Sequence, residues 1–124
     1  MSRGEVPADV RRFILTSIPS VPYLEAVLLL RAEPERAWDA QRLARRLYVP
    51  ERTAAELLTQ LADAGVAQPG EGGALYAPHD DLRALIDRLS AAYTSDLVTV
   101  TDLIHSRIDK RAQQFADAFR FRKE

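Results

Sequence analysis

The chain has 124 residues, 47% of them hydrophobic, with 17 lysines and arginines against 18 acids and a net charge of −1. That size and apolar content suffice for a core without metal or disulfide staples, and the lack of cysteine excludes disulfides, thiolate metal sites and cysteine nucleophiles. The near-neutral charge provides no global attraction to nucleic acid, and the longest apolar run, residues 26–30, falls far short of the roughly 20 residues needed to cross a bilayer.

No apolar signal core opens the sequence, so the expectation is a soluble cytoplasmic protein with no membrane partner. Pro7 is placed to start a short helix in which Val10, Phe13, Ile14 and Ile18 share a face. A second helix is expected from Val21-Pro22 to about Arg31. Its apolar residues run nearly all the way round, as in a central buried helix. Glu33-Pro34-Glu35 breaks it, and Ala37-Trp38 can form a brief strand. Trp38 reads better as a core plug than as a ligand platform.

Asp39 is a good N-cap for a helix over residues 40–48, with Leu43, Ala44 and Leu47 inward and Arg42, Arg45 and Arg46 outward. Val49-Pro50 makes a turn. The next helix, residues 51–64, is expected to bury Ala54, Leu57, Leu58 and Leu61 and to end at Gly65 in a left-handed conformation. Residues 66–68 and 74–77 then read as two short strands joined by a glycine-rich turn.

From Leu82 the apolar positions continue through Ile86, Leu89, Tyr93, Leu97, Val100, Ile104, Ile108, Ala112, Phe115 and Phe119. Residues eleven apart match, which corresponds to about 3.67 residues per turn, close to a straight helix. Unbroken, such a helix would be roughly 60 Å long at ~1.5 Å per residue. Its weak point is Thr94-Ser95 and the β-branched stretch that follows, where a kink or a new N-cap at Ser95 would fit. A stripe this long exceeds what a small core covers. The half from Leu97 to Phe119 is therefore expected to pack against another chain or to fold back as a hairpin, and the preferred reading is a homodimer interface of Leu97, Val100, Ile104, Ile108, Phe115 and Phe119. The organisation expected is a domain over residues 1–78 and a long C-terminal helix or helix pair over 79–124.

The spacing of Leu43, Ala44, Leu47, Val49, Thr53, Leu57, Leu61, Gly65 and Val66 resembles the winged helix-turn-helix of MarR-like and PadR-like bacterial regulators. The resemblance covers residues 21–78, with residues 80–121 similar to the dimerising terminal helix of those families. It implies a mainly α fold, with a three-helix core and a short β-hairpin wing, acting as a homodimer on double-stranded DNA in transcription regulation. Carried onto this chain, Arg52, Thr53 and Gln60 would read the major groove, while Arg42, Arg45 and Arg46 would hold the backbone.

The charges argue the other way. The helix that would enter the groove carries Glu51, Glu56 and Asp63 against Arg52 alone, and the hairpin offers only Glu71. Phosphate neutralisation dominates non-specific affinity, so an acidic reading helix begins at a disadvantage. The alternative reading is a winged-helix module that docks a protein partner and does not bind DNA. Enzymatic chemistry has no visible scaffold: His79 and His105 lack metal-ligand spacing, the glycine run lacks the Gly-Lys-Ser/Thr ending of a phosphate loop, and no nucleophile elbow is present. Neither a metal nor a cofactor is expected.

Overall fold

The computed structural model describes residues 6–106. The element order is α1 (Ala8–Ser17), α2 (Val21–Ala32), α3 (Ala40–Leu47), α4 (Glu51–Asp63), β1 (Ala67–Gly70), β2 (Gly73–Tyr76) and α5 (Asp80–Ser95). A further helix, α6, occupies residues 97–106 at the edge of the described region. The protein is thus mainly helical with one small antiparallel sheet, a layout compatible with a winged helix. No single helix among the described residues is long and apolar enough to cross a membrane.

The chain divides into two compact units. One joins the segment before Pro22 to the segment from Arg88 onward, and the other is Pro22–Asp87.

In the first unit, α1 buries Val10 and Ile14, and Ile18 just beyond it is buried as well, at the four-residue spacing of one helical face. Asp9 in its first turn accepts the Val10 N–H at 2.8 Å and bonds the Arg88 guanidinium at 2.5 Å, which ties α1 to the second half of α5. The hydrogen bond from Arg88 holds the Asp9 carboxyl below its ordinary value. Partial desolvation works against that shift, and the Val10 N–H works with it.

The apolar stripe from Leu82 does not run on one long helix but breaks beside the weak point at Thr94-Ser95: α5 stops at Ser95 and α6 starts afresh after Asp96. The Asp96 carboxylate explains the break. One oxygen accepts the Thr99 N–H at 3.1 Å and the other the Thr99 hydroxyl at 2.5 Å, so Asp96 caps α6 and its own backbone leaves the helical path. These bonds from Thr99 also hold the Asp96 carboxyl below its ordinary value. Ser95, the cap suggested by sequence, instead donates its hydroxyl to the Ala92 carbonyl at 3.3 Å.

In the second unit, α2 buries Tyr23, Leu24, Ala26, Val27 and Leu30, as expected of a helix apolar on most sides. The carboxylate of Asp39 accepts the Arg42 N–H at 2.8 Å and so caps α3. Leu43 from α3 and Ala54, Leu57 and Leu61 from α4 are buried, while Leu58 is only half-buried.

At the end of α4 the Val66 N–H returns to the Leu61 carbonyl at 3.0 Å and the Gly65 N–H to the Ala62 carbonyl at 3.1 Å. Gly65 has φ +79. This is a Schellman closure, completed by the buried side chains of Leu61 and Val66.

The strands pair in antiparallel register, Ala67 with Tyr76 through Gly70 with Gly73, leaving Glu71 and Gly72 as the turn. Trp38 adds a third, one-residue rung by exchanging backbone bonds of 2.9 and 2.8 Å with Ala74. Gly73 permits this approach, because a Cβ there would lie 2.4 Å from the Trp38 carbonyl oxygen. The Trp38 side chain is fully buried. Tyr76 is buried at the other end of β2, and its hydroxyl has no hydrogen-bond partner among the described residues. Burial, followed by the field of Asp87, raises its pKa, and Arg83 and Arg31 oppose the shift.

Candidate nucleic-acid interface

The six residues expected to meet DNA are divided by the structure: Arg42 and Arg46 are engaged at the α2–α3 connection, while Arg45 lies at the α3–α4 turn and Arg52, Thr53 and Gln60 on α4. Arg42 reaches back toward the α2–α3 connection, where its guanidinium donates to the Ala37 carbonyl at 2.9 Å. Arg46 is held on the same connection: it lies 3.5 Å from one oxygen of Glu33 and 5.8 Å from the centre of the Trp38 ring. The other oxygen of Glu33 takes Arg36 at 2.6 Å. These contacts are partly exposed, so each contributes little to stability, but together they orient Arg42, Arg46 and Arg36 within the protein itself.

Arg45 faces the other way. It lines an open hollow of about 540 Å³ with Gln41, Ala44, Tyr48, Val49 and Glu51, at the turn that joins α3 to α4. It makes no hydrogen bond or ion pair among the described residues, and neither does Arg52 in the first turn of α4. Thr53 is half-buried beside the buried Ala54, and Gln60 is exposed two turns further on. Arg52, Ala55, Glu56, Thr59, Gln60 and Asp63 recur at helical spacing and all are exposed, opposite the buried Ala54, Leu57 and Leu61. The Thr59 hydroxyl is bonded to the Ala55 carbonyl at 3.1 Å. Pro50 precedes α4 without a side-chain cap.

Arg45 and Arg52 are thus the two guanidinium groups on the α3–α4 side without internal partners among the described residues. Three carboxylates, Glu51, Glu56 and Asp63, share that surface. The hairpin adds no cation, since Glu71 is the one charged residue in the sequence from Ala67 to Tyr76.

Tyr48 is the residue at this turn that helical periodicity does not single out. It ends α3 in the left-handed region, φ 57 and ψ 47, and is 94% exposed. A signal was present: Pro50 forces α3 to stop just after Leu47, and no glycine stands where the chain reverses.

Among the residues expected to join two chains, Val100 and Ile104 are fully buried within this chain and have no surface to offer a partner. Leu97 is 52% exposed, and its neighbour Val98 is 66% exposed. Ile108, Phe115 and Phe119 lie outside the described residues.

The class defined by these features is a mainly helical protein with a small antiparallel hairpin behind an exposed helix pair. No family model, curated protein or solved structure matches the chain.

Proposed function

We propose that this protein is a cytoplasmic winged-helix DNA-binding regulator that acts as a dimer. In this reading α4 enters the major groove and α3 crosses the backbone. The observation that carries it is the exposed face of α4, with Arg52 and Gln60 outward and Thr53 beside them, next to a turn where Arg45 is uncommitted. Arg52 has the donors to pair with guanine, and the Gln60 amide has the donor and the acceptor to pair with adenine. Arg45 supplies backbone charge. Arg42 and Arg46 reinforce the α2–α3 connection and would reach phosphate only by leaving Ala37 and Glu33.

A dimer suits the charge count. Two free guanidinium groups per chain neutralise few phosphates, and a second copy doubles them. The exposed Leu97 and Val98 at the start of α6 are apolar surface for that contact.

Fluorescence anisotropy on a labelled duplex tests the proposal. Affinity should fall with salt, Arg45→Ala should flatten the log–log slope by about one unit per chain, and Arg52→Ala should weaken binding and relax sequence preference. Light scattering should give twice the chain mass. Failure to bind at low salt, with both substitutions silent, would contradict the reading.

A second reading is favoured by the acidity of α4 and the hairpin: a module that docks a basic protein partner through Glu51, Glu56 and Asp63. On that account, reversing these three charges abolishes partner binding, and duplex DNA has no effect.

A further inference from the structure

Tyr48 is the one non-glycine residue at positive φ among the described residues. In that conformation the Cβ of an L-residue crowds the following carbonyl oxygen, and glycine avoids the penalty. A large side chain can offset such strain by burying itself, yet Tyr48 is 94% exposed. Its conformation is imposed by neighbours. The N–H groups of Tyr48 and Val49 both return to the Ala44 carbonyl, and Pro50 prevents α3 from continuing. A glycine would therefore make the same turn with less strain. A strained, solvent-facing tyrosine at such a position points to a role outside the fold.

We infer that Tyr48 and Arg45 together hold a backbone phosphate of duplex DNA, the tyrosine hydroxyl donating a hydrogen bond and the guanidinium supplying charge. The inference rests on the reading of α4 as the helix in the groove. When that helix occupies the major groove and its predecessor crosses the backbone, the turn between them faces the phosphate row. Arg45 stands three residues before Tyr48 on α3, and both line the hollow at that turn with Gln41. Glu51 borders the same hollow and repels an anion, so the phosphate is placed against the α3 side and away from the first turn of α4. Tyrosine and arginine are both ordinary donors to phosphate oxygens, and such contacts fix register without reading sequence.

The test compares Tyr48→Gly, Tyr48→Phe and Arg45→Ala in the full chain, by anisotropy on a 20-base-pair duplex of arbitrary sequence and by thermal melting. Both tyrosine variants should bind at least about tenfold more weakly, the loss expected for one charge-assisted hydrogen bond. They should keep the wild-type salt slope, because tyrosine carries no charge, whereas Arg45→Ala lowers it. Tyr48→Gly should melt at or above the wild-type temperature.

Wild-type affinity in Tyr48→Gly, while the unaltered protein binds duplex, overturns this inference and leaves the groove-helix reading standing. Wild-type affinity in Tyr48→Phe alone overturns the hydroxyl bond. A lower melting temperature for Tyr48→Gly shows that the ring serves the fold and overturns the argument from strain. An unaltered protein that binds no duplex at low salt removes the DNA reading and this inference together.

Discussion

Two helices of the same unit end in the same way with different residues. α4 closes through Gly65 at φ +79, with Leu61 and Val66 buried against the turn, so every part of that ending serves packing. α3 closes through Tyr48 at φ 57, with its ring in solvent. The backbone device is shared, and only one of the two positions holds the residue that suits it. The contrast separates a joint optimised for folding from one whose side chain faces outward, and it falls at the edge of the surface we assign to DNA.

Substitutions at the two ends sharpen that contrast. Leu61→Ala removes a fully buried side chain from the α4 closure and should destabilise by about 2–5 kcal/mol in chemical denaturation. Tyr48→Ala, which removes exposed surface alone, should stay within about 0.5 kcal/mol of wild type. Equal losses at both sites would erase the distinction.

Gly65→Ala is the intermediate case. A Cβ at Gly65 meets nothing within 4 Å, so its penalty comes from φ alone and should be about 1 kcal/mol. A neutral result would mean that left-handed residues in this chain, Tyr48 included, carry no measurable strain.

The smallest effect concerns the other unit, where carboxylates make the joints. Asp96 and Asp9 are both held below the ordinary value of 3.8, so each favours the folded state above that value and loses its contribution as pH falls through the lowered one. The melting temperature should therefore decline on acidification from pH 5 to pH 3. Asp96→Asn, which still accepts the Thr99 N–H but does not titrate, should flatten that decline. An unchanged acid profile would show that the Asp96 cap contributes nothing measurable.

Much of the Pro22–Asp87 unit was legible in sequence because short-range physics decides it. Asp39 as a cap, Val49-Pro50 as a turn, Gly65 as a helix stop and the glycines of the β1–β2 hairpin each act within a few residues of themselves. The strand limits shifted by one or two residues because backbone pairing, not composition, sets them.

The break itself was legible at Thr94-Ser95, but its capping residue, Asp96, was not, because the eleven-residue apolar rhythm runs through it unchanged. Periodicity reports which face is apolar, not what covers that face, so Val100 and Ile104 read as an interface although the chain itself buries them. The arginines of α3 were obscured in a similar way. A helical pattern places Arg42 and Arg46 outward, but only tertiary structure brings Glu33, Ala37 and Trp38 to meet them.

The claim on which the functional account depends is that the α3–α4 surface meets duplex DNA. The most direct measurement is an amide chemical-shift map of the labelled protein titrated with a short duplex at low salt. The account predicts that the largest shifts fall at Arg45, Tyr48, Arg52, Thr53 and Gln60, with Arg42 and Arg46 moving less. Shifts confined to α5 and α6, or none at any ratio of DNA to protein, would contradict it.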